Sequence, residues 1–178
     1  MFTFTEALII AAEAHRGVKD GGGVDYIKHP LHLAHMLKVK GYSNEHQMVA
    51  VLHDVVEDTD VTFEDLISKG VPETVLIALR LMTHISDEVF IQGRMMAHAV
   101  LGCDASLSRI KAKEDEYMEY INRLSKNDIA RIVKIEDLDH NSDINRTPDK
   151  ALDEPYTSRR YIKYAKARRF LTGGRVGW

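Results

Sequence analysis

Residues 51–59 bring one imidazole and three carboxylates close together along the chain. If this segment is helical, His53 and Glu57, four residues apart, lie on one face. Asp54 and Asp58 have the same spacing, so the four side chains fall within about one turn. Because three acids packed so closely repel one another unless a cation is present, the segment favours a metal site. A solvated helix face can carry the same charges, so this segment alone leaves both interpretations open.

Two residues elsewhere in the chain could complete a metal site. His29 precedes Pro30 at a predicted junction of loop and helix, where an imidazole can be held rigidly. Asp137 follows the apolar stripe of a later predicted helix. Imidazole and carboxylate ligands together suit Mn²⁺, Fe²⁺ or Zn²⁺. Such an ion activates water and polarises a phosphoryl oxygen, and a neighbouring carboxylate can take the proton, so these residues predict hydrolytic chemistry.

The elements that must position these residues are predicted to be helices. Thr3 and Glu6 form a capping box for a first helix, and the glycines at 21–23 interrupt the chain after it. Pro30 suits the first turn of a second helix, which Gly41 can end. Strand-like alternation is nearly absent, so we expect one all-α domain over residues 1–178. Further helices are predicted after Ser43, Thr62 and Pro72, over 114–124, around 129–133 and from about 158 to 171.

The third predicted helix would carry the acidic segment. Ser43 can cap it, and its apolar stripe of Met48, Val49 and Leu52 continues to Val56. An unbroken helix through these positions would bury one side and present the imidazole and the carboxylates on the other. Rigid elements of this kind are where precise sites are best built.

Composition and charge exclude several classes of function. Of the 178 residues, 44% are hydrophobic and 29% charged, as in a soluble globular domain. The net charge of -3 disfavours a nucleic-acid partner. The single cysteine, Cys103, suits a reducing compartment, and neither a signal peptide nor an apolar run of ~18 residues is present. We therefore expect a cytoplasmic protein with no nucleic-acid or membrane partner, and we leave a homo-oligomer open.

Four segments together resemble the hydrolase domain of the RelA/SpoT family, a branch of the HD superfamily that removes the 3′-pyrophosphate from (p)ppGpp. They are residues 14–17, 26–30, 52–59 and 133–137, the last followed by His140 and Asn141. Their order and rough spacing match, and the closest likeness is to the small stand-alone hydrolases that lack a synthetase domain. The resemblance implies a single HD-domain helical bundle acting on a small nucleotide substrate.

The resemblance also implies roles for individual residues. The four that match the family's metal ligands, most often of Mn²⁺, are His29, His53, Asp54 and Asp137. Glu57 and Asp58 match an acidic pair that stays off the metal and activates or positions the attacking water. The candidates for substrate contact are Lys19, Lys134, Asn141, which matches a ribose contact, and Arg146. Other residues are expected beside the ligands or in structural positions (His15, His84, His140) or exposed on a helix (Glu136).

The chain departs from the family pattern in two places. Residues 18–23 contain one basic residue, Lys19, where the family usually has adjacent basic residues that contact the nucleotide, so we expect altered or relaxed nucleotide choice. Roughly thirty residues are inserted after His84, at about 85–113, and we expect them to be helical. This insertion could pad the domain, form a dimer contact or cover the site, and padding is the favoured interpretation.

Three functions remain in competition at the level of sequence. The first is a metal-dependent (p)ppGpp 3′-pyrophosphohydrolase, which the pair Glu57–Asp58 and the amide of Asn141 favour. The second is an HD-type nucleotidase for another nucleotide, such as a deoxynucleoside monophosphate. The third is a module that binds a nucleotide without turning it over. All four metal ligands and both acids are present, which argues against a module without activity.

Overall fold

The protein is described from a computed structural model, which covers residues 2–143 and 155–174 apart from the side chains of 155–158. The described residues form helices and no strand beyond an isolated bridge between Lys19 and Asp25, so the all-α prediction is confirmed. The helices are α1 (Phe4–Ala14), α2 (Lys28–Val39), α3 (Asn44–Leu52), α4 (Val55–Asp58), α5 (Phe63–Ser68), α6 (Glu73–Met82), α7 (Glu88–Val100), α8 (Ala105–Leu124), α9 (Asp128–Asn141) and α10 (Pro155–Leu171). None of the described helices is long and apolar enough to cross a lipid bilayer.

Helix α3 lies at the centre of the bundle. It packs against α1, α2, α6 and α9, and the side chains from Gln47 to Leu52 are all buried. Leu33 and Leu37 of α2 and Val133 of α9 are fully buried against the same core. Each such aliphatic side chain contributes roughly 1.5–3 kcal/mol by leaving water. Because α2, α3 and α9 meet in one core, the residues at their ends are held at fixed positions.

The predicted unbroken helix through the acidic segment is wrong. Helix α3 ends at Leu52, His53 and Asp54 form a turn, and the four-residue α4 follows. The amide of Asp58 still donates to the carbonyl of Asp54, at 2.9 Å. Adjacent residues on a straight helix point in different directions. The turn removes that restriction, so that the neighbours His53 and Asp54 approach the same point.

Helix α7 stands apart from the core of the bundle. Its extensive contacts, among the described helices, are with α8. Ile91 is its one buried residue and does not belong to the main hydrophobic core. Ion pairs join the two helices, with Arg94 and His98 both contacting Asp115, at 2.6 and 2.9 Å. The stretch 85–113 is therefore occupied by α7 and the start of α8, which form a hairpin.

Candidate metal centre

Two buried imidazoles face each other at the ends of α2 and α3. His29 lies in the first turn of α2, His53 directly follows α3, and their ring centroids are 5.2 Å apart. The Nδ1 of His53 is 2.8 Å from the carbonyl oxygen of Ala50. Because a carbonyl can only accept, Nδ1 carries the proton and Nε2 is left to act as a ligand. The backbone of α3 therefore fixes both the tautomer and the orientation of this ring.

Two carboxylates approach the imidazoles from different sides. Oδ1 of Asp137, buried on α9, lies 3.3 Å from Nε2 of His29 and 3.8 Å from Nε2 of His53. Oδ2 of Asp54 lies 2.9 Å from Nε2 of His53 and 3.8 Å from Nε2 of His29. The structure thus brings together the four residues that the sequence predicted as ligands, from α2, the α3–α4 turn and α9.

These donors fit a divalent metal ion. One ligand atom from each of His29, His53 and Asp137 lies within 4.8 Å of the other two. Ligands that share one ion at about 2.1 Å are separated by roughly 3–3.5 Å, close to the distances between these donors. The Nε2 atoms of both imidazoles and the two carboxylates face one another in a buried space. Two carboxylates held this close together are favoured by a cation between them, so the donor set is best explained as one that binds a metal ion.

The buried charges of the site determine one another's ionisation. Burial alone would lower the pKa of His53, but the carboxylates of Asp54 and Asp137 raise it to about 9. Burial would raise the pKa of Asp54, but His53 lowers it to about 2. Burial also opposes ionisation of Asp137, and the ammonium of Lys134 outweighs it and keeps the pKa of Asp137 far below its usual range. Both carboxylates are therefore ionised at neutral pH and available to a cation.

A surrounding layer of side chains holds the ligands in place. Lys134 donates to Oδ2 of Asp137 at 2.8 Å, and the amide of Asn141 donates to Oδ1 at 2.5 Å. The hydroxyl of Tyr26 donates to Asp54. His140 stacks parallel to His29, with ring centroids 4.9 Å apart. Partners of this kind orient metal ligands and fix their protonation.

Glu57 and Asp58 lie beside this centre at the surface. Oε2 of Glu57 accepts the backbone N–H of His84 at 2.9 Å. Burial raises the pKa of Glu57, and burial together with the charge of Asp54 raises the pKa of Asp58. Both acids line an open cleft of about 610 Å³, with Ala14, Val18, Thr59, Asp60 and Val61 as the other lining residues. They are placed to meet a ligand that enters from solvent.

The predicted substrate-contact residues have different surroundings. Lys19 is exposed and ion-paired with Asp25. Lys134 and Asn141 both donate to the carboxylate of Asp137, so they hold this candidate metal ligand in place. Arg146 lies outside the described residues.

One prediction about α9 is wrong, and one contact was missed. Glu136, expected to be exposed, is buried and ion-paired with Lys40 at the end of α2. The error arises because α9 packs against α2 on that face, a contact that local sequence does not reveal. The bond from Tyr26 to Asp54 was also not predicted, although Tyr26 stands three residues before His29 in a matched segment. His15, expected in the core or beside the ligands, is buried against the ring of Tyr26.

Comparisons with known proteins identify the family. The HD domain family matches residues 7–88. Guanosine-3′,5′-bis(diphosphate) 3′-pyrophosphohydrolase MESH1 of Danio rerio is 34% identical over 151 residues, which cover 81% of this chain and 71% of that protein. The bifunctional (p)ppGpp synthase/hydrolase SpoT of Escherichia coli K12 is 40% identical over 73 residues, which cover 39% of this chain and 10% of SpoT.

A solved structure supports the same relationship. It is that of a metazoan ortholog of SpoT that hydrolyses ppGpp, and it matches with a TM-score of 0.65 and 25% identity over 94% of this chain and 84% of that one. The likeness extends over nearly the whole bundle, as the resemblance of the four sequence segments predicted. The chain belongs to the HD-domain family of RelA/SpoT-type proteins that includes MESH1.

Proposed function

We propose that the protein is a metal-dependent phosphohydrolase that removes pyrophosphate from guanosine-3′,5′-bis(diphosphate) or a closely related nucleotide. The observation that carries this proposal is the convergence of His29, His53, Asp54 and Asp137 beside a cleft lined by two acids. The names of the relatives support the choice of substrate, since MESH1 and SpoT are both named for hydrolysis of this class of nucleotide. The single cysteine favours the cytoplasm as the compartment.

The four ligands would hold the metal, for which we propose Mn²⁺. When bound, such an ion supplies Lewis-acid activation of water and of a phosphoryl oxygen. The protein's own contribution is to turn both imidazole Nε2 atoms toward the two carboxylates. The carbonyl of Ala50 orients His53 because it engages the opposite ring nitrogen, and Nδ1 of His140, 2.6 Å from Nδ1 of His29, orients His29.

We assign Glu57 as the general base for the attacking water. The amide of His84 fixes Oε2 of Glu57, so Oε1 is the oxygen that accepts the proton. Burial raises the pKa of Glu57, which brings the carboxylate closer to the basicity that proton transfer needs. Asp58, adjacent and facing the same cleft, would orient the water.

The loop before α2 supports a second candidate, hydrolysis of another nucleotide. Its lysine, Lys19, is ion-paired with Asp25 across the loop. The carboxylate of Asp20 accepts the amides of Gly22 and Val24, at 2.9 and 3.0 Å, which closes the turn. A cation engaged in this way contributes less to binding a base or phosphate than a free one. Asn141 and Arg146 remain our candidates for contact with the nucleotide.

A substrate panel tests the proposal. Protein stripped of metal and reloaded with Mn²⁺ would be assayed with ppGpp, GTP and a deoxynucleoside monophosphate in parallel. Release of pyrophosphate from ppGpp is the expected result. Hydrolysis of only another nucleotide would favour the second candidate. Asp54→Asn should abolish turnover with any substrate, whereas His35→Gln, an exposed histidine of α2, should not. Full turnover by Asp54→Asn would contradict the proposed site.

A further inference from the structure

The end of α6 presents a backbone amide to the acid pair of the cleft. At this end the amide of Thr83 donates to the carbonyl of Leu79 at 2.8 Å, and Thr83 itself is extended. A continued helix would pair the next amide, that of His84, with the carbonyl four residues earlier. Because α6 stops here, the amide of His84 donates instead to Oε2 of Glu57, at 2.9 Å.

Glu57 is exposed, and the amide of His84 restrains it. An exposed glutamate samples several rotamers, and few of them place a carboxylate oxygen at one defined point. A general base must lie within hydrogen-bond reach of the water that it deprotonates. The position of the chain at residue 84 therefore bears directly on where Oε1 of Glu57 is held.

Glu116 of α8 holds the ring of the same histidine. Both of its carboxylate oxygens lie 3.0 Å from Nε2 of His84, and Glu116 is only 5% exposed. Because a carboxylate accepts and does not donate, Nε2 carries the proton of this bond. Burial of a charge is costly, and an apolar side chain of similar volume is often equally stable at such a position. The pair is thus better explained by what it positions than by the stability that it contributes.

Tyr120, one turn after Glu116 on α8, holds the end of α6 from the same helix. Its buried hydroxyl donates to the carbonyl of Met82 at 2.6 Å, and the last carbonyls of a helix lack partners within it. Burial raises the pKa of Tyr120 to about 12, so the hydroxyl stays protonated as a donor. The ring of Tyr120 also packs against the ring of His84, with centroids 4.6 Å apart. Two successive turns of α8 therefore contact the chain on both sides of Thr83.

We propose that Glu116 and Tyr120 are positioning residues, which aim the amide of His84 at Glu57 and so hold the general base in place. The inference rests on the proposed function, because it takes Glu57 to be the base. The proton taken from water goes to Glu57, and neither positioning residue gives or receives one. Small displacements of a catalytic group cost large factors in rate, so an indirect contact of this kind affects turnover.

Hydrogen exchange of the His84 amide, followed by NMR, tests the link without any need for turnover. Glu116→Leu should raise the exchange rate on the order of tenfold, because the bond to Glu57 is then formed for a smaller fraction of the time. Glu116→Gln should retain most of the protection, since its amide oxygen can still accept from the ring. Glu119→Leu is the matched control, at an exposed glutamate of the same helix. Equal exchange in Glu116→Leu and in the wild type would overturn the link.

Kinetics show whether the link serves the base. Glu116→Leu should lower kcat on the order of tenfold and change KM less than about twofold, with an unchanged metal content. In protein that already carries Glu57→Gln, the same substitution should have little effect on kcat, because the group that it positions can no longer accept a proton. A general disturbance of the fold would lower kcat equally in both backgrounds, and that result would overturn the role of Glu116.

Tyr120→Phe should act in the same direction as Glu116→Leu. It leaves the carbonyl of Met82 without its donor, so kcat should fall about threefold and the His84 amide should exchange faster. Tyr117→Phe is the matched control, because the hydroxyl of Tyr117, also on α8, has no hydrogen-bond partner among the described residues. Equal kcat in the two phenylalanine variants would overturn the role of Tyr120.

Failure of the inference and failure of the proposed function give different results. A lower kcat in Glu116→Leu, with unchanged exchange of the His84 amide, would overturn the inference and leave the proposed function standing. Faster exchange with an unchanged kcat would reject Glu57 as the base, the assignment on which the inference rests. Turnover of a nucleotide other than ppGpp, with the same loss of kcat, would reject the proposed substrate and support the inference.

Discussion

Glu57 lines the cleft but is not one of the candidate metal ligands, and this difference in role can be tested. Glu57→Gln should reduce kcat by roughly 10²–10⁴-fold, because the amide cannot accept a proton from water. The metal content should stay at the wild-type level, since the ligand atoms are contributed by other residues. Turnover and metal analysis of the same preparation measure both quantities. Glu64→Gln, an exposed acid of α5, serves as the control, and loss of metal from Glu57→Gln would contradict the assignment.

Lys134 compensates the charge of Asp137, as the metal would. In metal-free protein, Lys134→Met removes the ammonium that pairs with the buried Asp137, which should cost about 3 kcal/mol of unfolding free energy. A bound divalent ion should reduce that loss, because it neutralises the same carboxylate. Urea unfolding with and without Mn²⁺ measures the difference. Equal destabilisation with and without Mn²⁺ would argue against this role of Lys134. So would an effect no larger than that of Lys126→Met, a change at an exposed lysine.

At the scale of single residues, the sequence predicted which side chains the structure brings together but not how they are held. Residue types and their order made a metal site plausible, and the resemblance of four segments to the RelA/SpoT hydrolase domain selected His29, His53, Asp54 and Asp137. The support from Ala50 is a backbone contact, and backbone contacts leave no trace in residue type.

Helix boundaries were predictable where the signal is local. The capping box of Thr3 and Glu6 begins α1 as predicted, and a second one at Thr62 begins α5. The turn after Leu52 was missed because an apolar stripe continues across it and neither glycine nor proline marks it. Tertiary packing around α3 decides that break, and local propensity does not determine it.

The N-caps of α3 and α9 differ, although both carry a polar residue. The side chain of Asn127 accepts the amide of Ala130 at 2.9 Å, whereas the hydroxyl of Ser43 pairs with His46 and caps nothing. Asn127→Ala should therefore cost about 1 kcal/mol, and Ser43→Ala clearly less. Chemical denaturation of the two variants gives the comparison. Equal losses would contradict the difference in capping.

The hairpin of α7 and α8 should be separable from the metal centre, as the padding interpretation of the insertion expects. Glu88 and Arg109 form an ion pair at 3.1 Å, so the two ends of the segment 88–108 are neighbours in space. Replacing that segment by a few glycine and serine residues should leave the metal stoichiometry unchanged, since α7 contributes no ligand. Metal analysis of the shortened protein checks this. Loss of the metal would show that the hairpin supports the site.

The molecule as a whole joins distant parts of its sequence at one point. His29 contacts His140, 111 residues further along the chain, and α2 and α9 pack side by side. Contacts of such large sequence separation form late, because closing a long loop costs entropy before the contact stabilises anything. During synthesis on the ribosome, the nascent chain would present two histidines and Asp54 long before α9 emerges from the exit tunnel. If the four residues bind a metal as proposed, the complete set of ligands exists only after α9 has emerged and packed against α2.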